Sequence, residues 1–252
     1  MIPAGDMRRM DLHNHTAYSD GAGTPEAVVR AALQKGMTAV GISDHAYTAF
    51  DPACGFQPGT ESAYRAEIAR LKEAYRDRIE VLCGIEQDYY ATRPAVGYEY
   101  VIGSVHYVKC GARYLSVDET AAMLEDAVQA YFGGDVYALI EEYYATVADV
   151  VRQTGADLIG HFDLVTKFQE RHPLFDEHHP RYVAAWQSAA DALLKTGVPF
   201  EINTGAIAGG YRTAPYPSPE IRQYLAAHGG TFLLSSDSHR AENVGFQFDR
   251  WG

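Results

Sequence analysis

Cysteine and long apolar runs are the features that this sequence has least of. It contains 3 cysteines among 252 residues, at Cys54, Cys83 and Cys110, and none of them forms a CxxC pair. An odd number without paired spacing argues against a disulfide framework and favours free thiols in a reducing compartment, so we expect a cytoplasmic location. No apolar run approaches the roughly 18 residues of a membrane span. No apolar segment follows the N-terminal arginines, so no signal peptide is expected.

Basic residues are also scarce. The chain has 21 Lys+Arg against 33 Asp+Glu, which gives a formal net charge of −12. Proteins that bind long nucleic acids or membrane surfaces usually present a basic face, so neither partner is expected here. A small anionic substrate is compatible with this balance, provided that the site supplies positive charge locally.

The remaining sequence follows a repeated helix–strand pattern. Four helical segments end in a polar residue and a glycine, at Gly36, Gly155, Gly197 and Gly229, and an apolar strand follows each. Glycine is favoured there because the residue after a helix often adopts a left-handed conformation. Three further strands are expected over residues 10–14, 79–85 and 100–108. Strands that alternate with helices predict a parallel sheet with both faces covered.

The length and the lack of any linker predict a single domain over residues 1–252. Because α/β barrels often reach this size as one unit, we predict a barrel-like α/β fold, with an open doubly wound sheet as the alternative. Two segments interrupt the pattern. Residues 136–154 have apolar side chains at helical spacing and are predicted to form a core helix. Residues 167–180 form a polar loop of the kind that often binds ligands.

The histidines cluster at the ends of the predicted strands. His13 and His15 form an HxH motif after the first strand, and Asp237 and His239 form a DxH motif after the last. Residues i and i+2 of a strand point to the same side, so both members of each pair can reach one ion.

Five more metal-competent side chains follow successive strands in the same way. They are Asp20, His45, Glu86, His106 and His161. Because the carboxyl ends of barrel strands converge on one face, all nine side chains should meet at one mouth, which predicts a metal centre. Nine ligands exceed the needs of one ion and fit two or three, with bridging carboxylates. Mixed nitrogen and oxygen ligands suit Zn²⁺, Mn²⁺ or Fe²⁺ without choosing among them.

The order of these motifs resembles that of the PHP (polymerase and histidinol phosphatase) superfamily. The matching segments are MDLHNHTAYSDG, GISDHA, GIEQDYY, YVIGSVHYV, IGHFDLVTKF, FEINTGA and LSSDSH. More narrowly, GSVHYV, GHFDLVTKF and GGYRTAPYPSPEI are similar to the stand-alone histidinol-phosphate phosphatases of histidine biosynthesis. The resemblance implies a distorted (β/α)7 barrel of the PHP type and a trinuclear metal site.

The resemblance also assigns ligands to each ion. One ion would be held by His13, His15, Glu86 and Asp237, a second by Glu86, His106 and His161, and a third by Asp20, His45 and His239. The position of Asp20 varies in the superfamily, where some members have histidine. Glu86 and Asp237 are therefore candidate catalytic residues as well as ligands.

The activity that the resemblance implies is hydrolysis of a small phosphate monoester, with L-histidinol phosphate converted to L-histidinol and phosphate. A water that bridges two divalent ions loses a proton near neutral pH, and the resulting hydroxide attacks phosphorus. Two alternatives remain: a PHP phosphoesterase that acts on a nucleotide or another small phosphate, and a catalytically silent metal-binding module. The protein is expected to be a monomer or a small homo-oligomer.

Three further residues complete the predicted site. Arg212 follows the strand-end motif EINTGA and can grip phosphate with two hydrogen bonds; it also matches an arginine of the histidinol phosphatases. Lys167 follows the fifth strand-end ligand and is a second candidate for phosphate binding. Asp163 lies two residues after His161 and is expected to orient that ligand or to protonate the leaving group.

Overall fold

Seven parallel strands form the framework of the computed structural model, which describes residues 6–252 and only the backbone of Met7. The first five residues of the predicted 1–252 domain lie outside this range. The strands, in sheet order, are β1 (Met10–Asp11), β2 (Ala39–Ile42), β3 (Glu80–Asp88), β4 (Tyr100–Ser104), β7 (Leu158–Ile159), β8 (Phe200–Asn203) and β9 (Phe232–Ser235). Two further strands, β5 (Tyr107–Cys110) and β6 (Arg113–Ser116), form a separate antiparallel hairpin.

The seven-stranded sheet closes on itself. Asn14 and Ser238 form a parallel bridge beyond the ends of β1 and β9. The amide of His15 donates to the carbonyl of Ser238 at 2.8 Å, and the amide of Ser238 donates to the carbonyl of His13 at 3.2 Å. The strand order follows the chain order throughout, as a barrel requires. The structure therefore confirms the predicted (β/α)7 barrel and excludes the open doubly wound sheet.

Helices separate most of the strands of the barrel, and one follows the last strand. They are α1 (Pro25–Gln34), α2 (Glu61–Tyr75), α3 (Ala121–Phe132), α4 (Val136–Val147), α5 (Val150–Thr154), α6 (Pro180–Leu194), α7 (Gly205–Ala208), α8 (Pro219–Ala227) and α9 (Phe248–Trp251). Short 3₁₀ turns cover Met7–Arg9, Leu164–Thr166 and Ala241–Asn243. The glycines predicted to end helices all have positive φ, between 70° at Gly36 and 87° at Gly229.

Tyr100 fills the inside of the barrel beneath the carboxyl ends of the strands. It is fully buried, and its hydroxyl donates to the carbonyl of Leu12 at 2.5 Å. Gly41 and Gly84 make room for the ring, since a Cβ at either position would lie 2.0 or 2.1 Å from Tyr100 atoms. Side chains thus fill the interior of the barrel, and the functional groups lie above this closely packed layer.

Several sequence-based element boundaries were wrong. The strands predicted over residues 10–14 and 79–85 are Met10–Asp11 and Glu80–Asp88 in the structure. The strand predicted over residues 100–108 ends at Ser104, because the backbone amide of His106 turns to donate to the Asp88 carboxylate at 3.1 Å. The helix predicted over residues 136–154 is interrupted between α4 and α5 at Ala148 and Asp149. Its apolar positions still form core, as expected. Among residues 6–252, no helix has the length and apolarity needed to cross a membrane.

Candidate metal centre

The nine predicted ligands all lie at the carboxyl end of the barrel. Glu86 is within β3, and the other eight follow the ends of β1, β2, β4, β7 and β9. They are His13, His15, Asp20, His45, Glu86, His106, His161, Asp237 and His239. The structure brings them together at one mouth, as the strand-end pattern predicts.

Glu86 is the centre of this cluster. Its Oε2 lies 2.8 Å from His45 Nδ1, 3.2 Å from His13 Nε2 and 3.4 Å from His15 Nε2. Its Oε1 lies 3.0 Å from His161 Nε2 and 3.4 Å from His106 Nε2. One buried carboxylate therefore faces five imidazoles, three on one oxygen and two on the other.

Asp20 is the centre of a second, more open group. Its carboxylate lies 3.2 Å from His239 Nε2, 3.7 Å from His45 Nε2 and 3.8 Å from His15 Nδ1. The rings of His45 and His239 each stack on His15 with centroids 4.3 Å apart. His15 therefore presents one nitrogen to each group and joins them.

Asp237 completes the Glu86 side of the site. Its Oδ1 lies 3.2 Å from His15 Nε2 and 3.5 Å from His13 Nε2. The residue has φ of 48°, in the left-handed region that costs a non-glycine residue about 1–3 kcal/mol. The Asn203 amide holds the carboxylate in this position by donating to Oδ2 at 3.2 Å.

The donor set fits bound divalent ions. Several buried atoms that face the cluster lack any hydrogen-bond partner in the structure: His13 Nε2, His15 Nδ1 and Nε2, and Glu86 Oε2. Buried polar atoms are nearly always satisfied in proteins, so this concentration at one point is informative. Three groups of these residues have ligand atoms close enough to share an ion: His15–Asp20–His45–His239, His13–His15–Glu86 and His45–Glu86–His106.

The acidic and basic ligands shift one another's pKa. Against the effect of burial, the carboxylates raise the pKa of His13, His45 and His106, so bound ions would have to displace protons from these imidazoles. Burial, followed by the neighbouring imidazoles of His239 and His45, lowers the pKa of His15 to about 3, so its ring is neutral and free to donate lone pairs. Burial alone would raise the pKa of Glu86, but His45 and His13 hold that pKa well below its usual range. Glu86 is therefore ionised across the neutral range.

Three residues that sequence reasoning missed orient the ligands. Glu201 Oε1 lies 2.6 Å from His13 Nδ1, and its Oε2 accepts from the backbone amide of His161 at 3.0 Å. Asp88 Oδ2 lies 3.2 Å from His106 Nδ1. Asn203 donates to Glu201 as well as to Asp237. Such contacts fix the orientation of an imidazole and make it a better ligand.

A sequence signal for these residues existed. Glu201 and Asn203 have the same i, i+2 spacing as the HxH motif and lie on β8, the strand to which no ligand was assigned. Asp88 has the same spacing from Glu86 on β3.

The residues predicted to bind phosphate occupy different depths. Lys167 lines the cavity above the metal ligands, and its ammonium donates to the Asp118 carbonyl at 2.8 Å. Arg212 is buried beside it, where it donates to the Thr166 hydroxyl and lies 3.7 Å from Asp163 Oδ2. Asp163 also accepts from the backbone amide of Ser218 at 2.9 Å. Burial raises the pKa of Asp163 despite the Arg212 charge.

A cavity of about 750 Å³ opens over the centre. Its walls include the ligands His45, His106, His161, Asp237 and His239, together with residues of the β5–β6 hairpin and of α7. This volume is within the range of small-molecule sites.

Comparison with known proteins agrees with this geometry. Residues 11–205 match the PHP domain family, so the chain belongs to this family. A probable histidinol-phosphatase of Deinococcus radiodurans is 31% identical over an alignment that covers 94% of this chain and 89% of the relative. The predicted enzyme class, a phosphoric monoester hydrolase, is confirmed by this relative.

Two crystal structures share the fold. A candidate histidinol phosphatase from Listeria monocytogenes superposes with a TM-score of 0.80 at 18% identity, covering 96% of this chain and all (100%) of that one. The histidinol phosphate phosphatase of Lactococcus lactis, determined with Zn, L-histidinol and phosphate, gives a TM-score of 0.70 at 22% identity, with 93% and 87% covered.

Proposed function

We propose that this chain hydrolyses L-histidinol phosphate to L-histidinol and phosphate with the help of three divalent metal ions. The observation that carries the proposal is the position of Glu86, a buried carboxylate among five imidazoles, three of which line a cavity sized for a small molecule. Family membership gives the phosphatase chemistry. The names of the relatives and the ligands of the Lactococcus lactis enzyme support the particular substrate.

The ions would be held as the motifs assign them, and Zn²⁺, Mn²⁺ and Fe²⁺ all suit the mixed donor set. Divalent ions in such a site activate water and neutralise the negative charge that develops on a phosphoryl group. Glu201 and Asp88 would keep the imidazoles of His13 and His106 turned towards the ions, through contacts of 2.6 and 3.2 Å.

Positive side chains would complete the phosphate pocket. Lys167 lines the cavity, and its ammonium, which donates to the carbonyl and the carboxylate of Asp118, would offer its third proton to a phosphate oxygen. Arg212 would have to exchange its contact with Thr166 for one with phosphate, and its buried Nε has no partner to lose. Asp163, which faces Arg212, would then act by positioning the guanidinium. The hydrogen bond to His161 expected from sequence is not made, since His161 Nδ1 and Asp163 Oδ1 both lack a partner, and the role of Asp163 as proton donor stays a prediction.

A comparison of substrates tests the proposal. The metal-loaded protein should give a kcat/KM for L-histidinol phosphate at least about tenfold above those for 3′,5′-bisphosphonucleotides and sugar phosphates. A smaller lead would contradict the substrate and favour a PHP phosphoesterase of other specificity. Metal-loaded protein without activity on any small monoester would contradict hydrolysis itself and favour the silent module.

We infer a single PHP metallophosphatase domain, since the strand repeat runs from β1 to β9 without a linker. A cytoplasmic location and a role in histidine biosynthesis accord with three free cysteines and with the proposed substrate. We expect a monomer or small homo-oligomer, which the sedimentation velocity of the purified protein would decide.

A further inference from the structure

One aromatic side chain in the cavity wall is left uncovered. Tyr211 lines the same cavity as the metal ligands and is 39% exposed. The other tyrosines of this wall, Tyr107 and Tyr216, are 9% and 1% exposed. Tyr107 donates its hydroxyl to Asp51, and the ring of Tyr216 lies under the Arg212 guanidinium at 4.6 Å. Tyr211 therefore offers the cavity more free aromatic surface than either of them.

The Tyr211 ring is held in place although it is exposed. The edge of its ring meets Phe168, with centroids 5.7 Å apart, and Phe168 is itself buried. The Lys167 ammonium lies 5.1 Å from the Tyr211 centroid. A ring fixed by two neighbours loses little freedom when a ligand covers it, which favours binding.

The backbone next to Tyr211 is unusually free of side chains. The cavity wall here is made by Gly205, Ala206, Ala208 and Gly209. A Cβ on Gly209 would lie 2.9 Å from two carbons of the Tyr211 ring, so glycine is what lets the ring lie against this turn. The small residues leave room for a flat group beside Tyr211.

We propose that Tyr211 is the specificity-determining residue that stacks on the planar ring of the substrate, the imidazole of L-histidinol phosphate if the proposed function holds. Lys167, a phosphate-binding candidate, is next to Tyr211, so a substrate with its phosphate at Lys167 has its organic part at this ring. Aromatic rings stack favourably on one another in an offset or edge-to-face geometry. Tyr211 thus acts on ring recognition and leaves the bond-breaking step to the metal centre.

The test uses Tyr211→Ala and Tyr211→Phe in the metal-loaded protein. Tyr131→Ala is the matched control, since Tyr131 is 42% exposed and lies on α3, outside the cavity wall. The two substrates are L-histidinol phosphate and 2-aminopropanol phosphate, which keeps the phosphate and the ammonium but has no ring. Metal content of each variant is measured alongside.

Loss of the ring should affect only the substrate that carries a ring. Tyr211→Ala should lower kcat/KM for L-histidinol phosphate about tenfold, mainly through KM, and raise the Kd of L-histidinol by a similar factor. Its effect on 2-aminopropanol phosphate should stay below about twofold, and Tyr211→Phe should stay within about twofold on both. Equal losses on both substrates, or no loss on either, would overturn the proposal.

A second pair of substrates separates this inference from the proposed function. The ratio of kcat/KM for phenyl phosphate to that for ethyl phosphate is compared between variants, so that leaving-group differences cancel. If L-histidinol phosphate is a poor substrate but Tyr211→Ala still lowers this ratio several-fold, ring stacking stands and the proposed function fails. If the ratio is unchanged, the stacking role fails whatever the natural substrate is.

Discussion

The two halves of the metal centre differ in how far they are enclosed. The Glu86 side chain is 0% exposed, and its contacts come from the ends of four strands, β1, β2, β4 and β7. The Asp20 side chain is 33% exposed and its partner His239 is 41% exposed. Asp20 comes from a loop, whereas Glu86 belongs to β3. The enclosed half is preorganised by the fold itself, while the open half depends on a loop at the rim.

This difference in exposure implies that an ion in the enclosed half and an ion in the open half bind with unequal strength. Ligands fixed on strands and screened from water lose little entropy on binding and interact in a lower dielectric. An ion beside Asp20 competes with solvent and should exchange faster. Variants of each half can therefore test whether the two halves differ in their affinity for metal ions.

The largest effect is expected from Glu86→Ala. It removes the group shared by two proposed sites, so kcat should fall by about 10³-fold or more, since electrostatic stabilisation is the largest catalytic term. Metal analysis should show two ions lost. Glu73→Ala, an equivalent change at an exposed helical position, is the control. Near-normal kcat with full metal content would refute the shared role.

A smaller loss is expected from Glu201→Ala, because Glu201 acts on His13 and not on an ion directly. Removal of such an orienting carboxylate lowers metal affinity by about 10–100-fold. Glu201→Gln keeps an oxygen for His13 Nδ1 and should recover part of the affinity. Titration with Zn²⁺ against a competing chelator measures both. Equal affinities for Ala and Gln variants would show that the contact at 2.6 Å has only a packing role.

The open half should respond more weakly still. Asp20→Asn is expected to lower the affinity of one ion by about tenfold, by loss of a charged ligand at an exposed position, and to leave the other ions in place. Metal content after gel filtration should fall from three to two per chain. Asp77→Asn, at a fully solvated surface acid, is the matched control. Loss of all the ions would mean that the two halves are one cooperative unit.

The smallest effect on the centre itself is expected from Arg212→Ala. Metal content should be unchanged, while the affinity for inorganic phosphate should fall about tenfold through loss of a charge-assisted contact. Isothermal titration of the metal-loaded protein with phosphate measures this. If metal is lost as well, Arg212 supports the fold through Thr166 and Asp163 and does not bind phosphate.

The sequence predicted the centre better than its surroundings. HxH at residues 13–15 and DxH at residues 237–239 are visible because strand geometry ties spacing 2 to one face. Glu201 and Asp88 were not predicted because they contact imidazoles and not an ion directly. An acidic residue on a strand can also have many other roles. The depth of Arg212 depends on how the loop after β8 packs against residues 163–166, which no local pattern encodes.

The same reasoning explains the errors in the fold. Alternation of helix and strand predicted a parallel sheet and left an open sheet as the alternative; the bridge that joins the ends of β1 and β9 decides for the barrel. The boundary at Ser104 was missed because a long-range contact sets it, between the amide of His106 and the side chain of Asp88. Propensity alone continues the strand through this point.

The bridge between Asn14 and Ser238 has a consequence for the order of assembly. It joins the first strand to the last, and Ser236 also donates to Asp11, a residue 225 positions earlier. Contacts of such separation form late, because a long loop must be closed before they contribute. His13 and Asp237 therefore meet only when the barrel is complete. Metal uptake at this pair should report a finished fold, and an ion bound there would in turn hold the two ends of the barrel together.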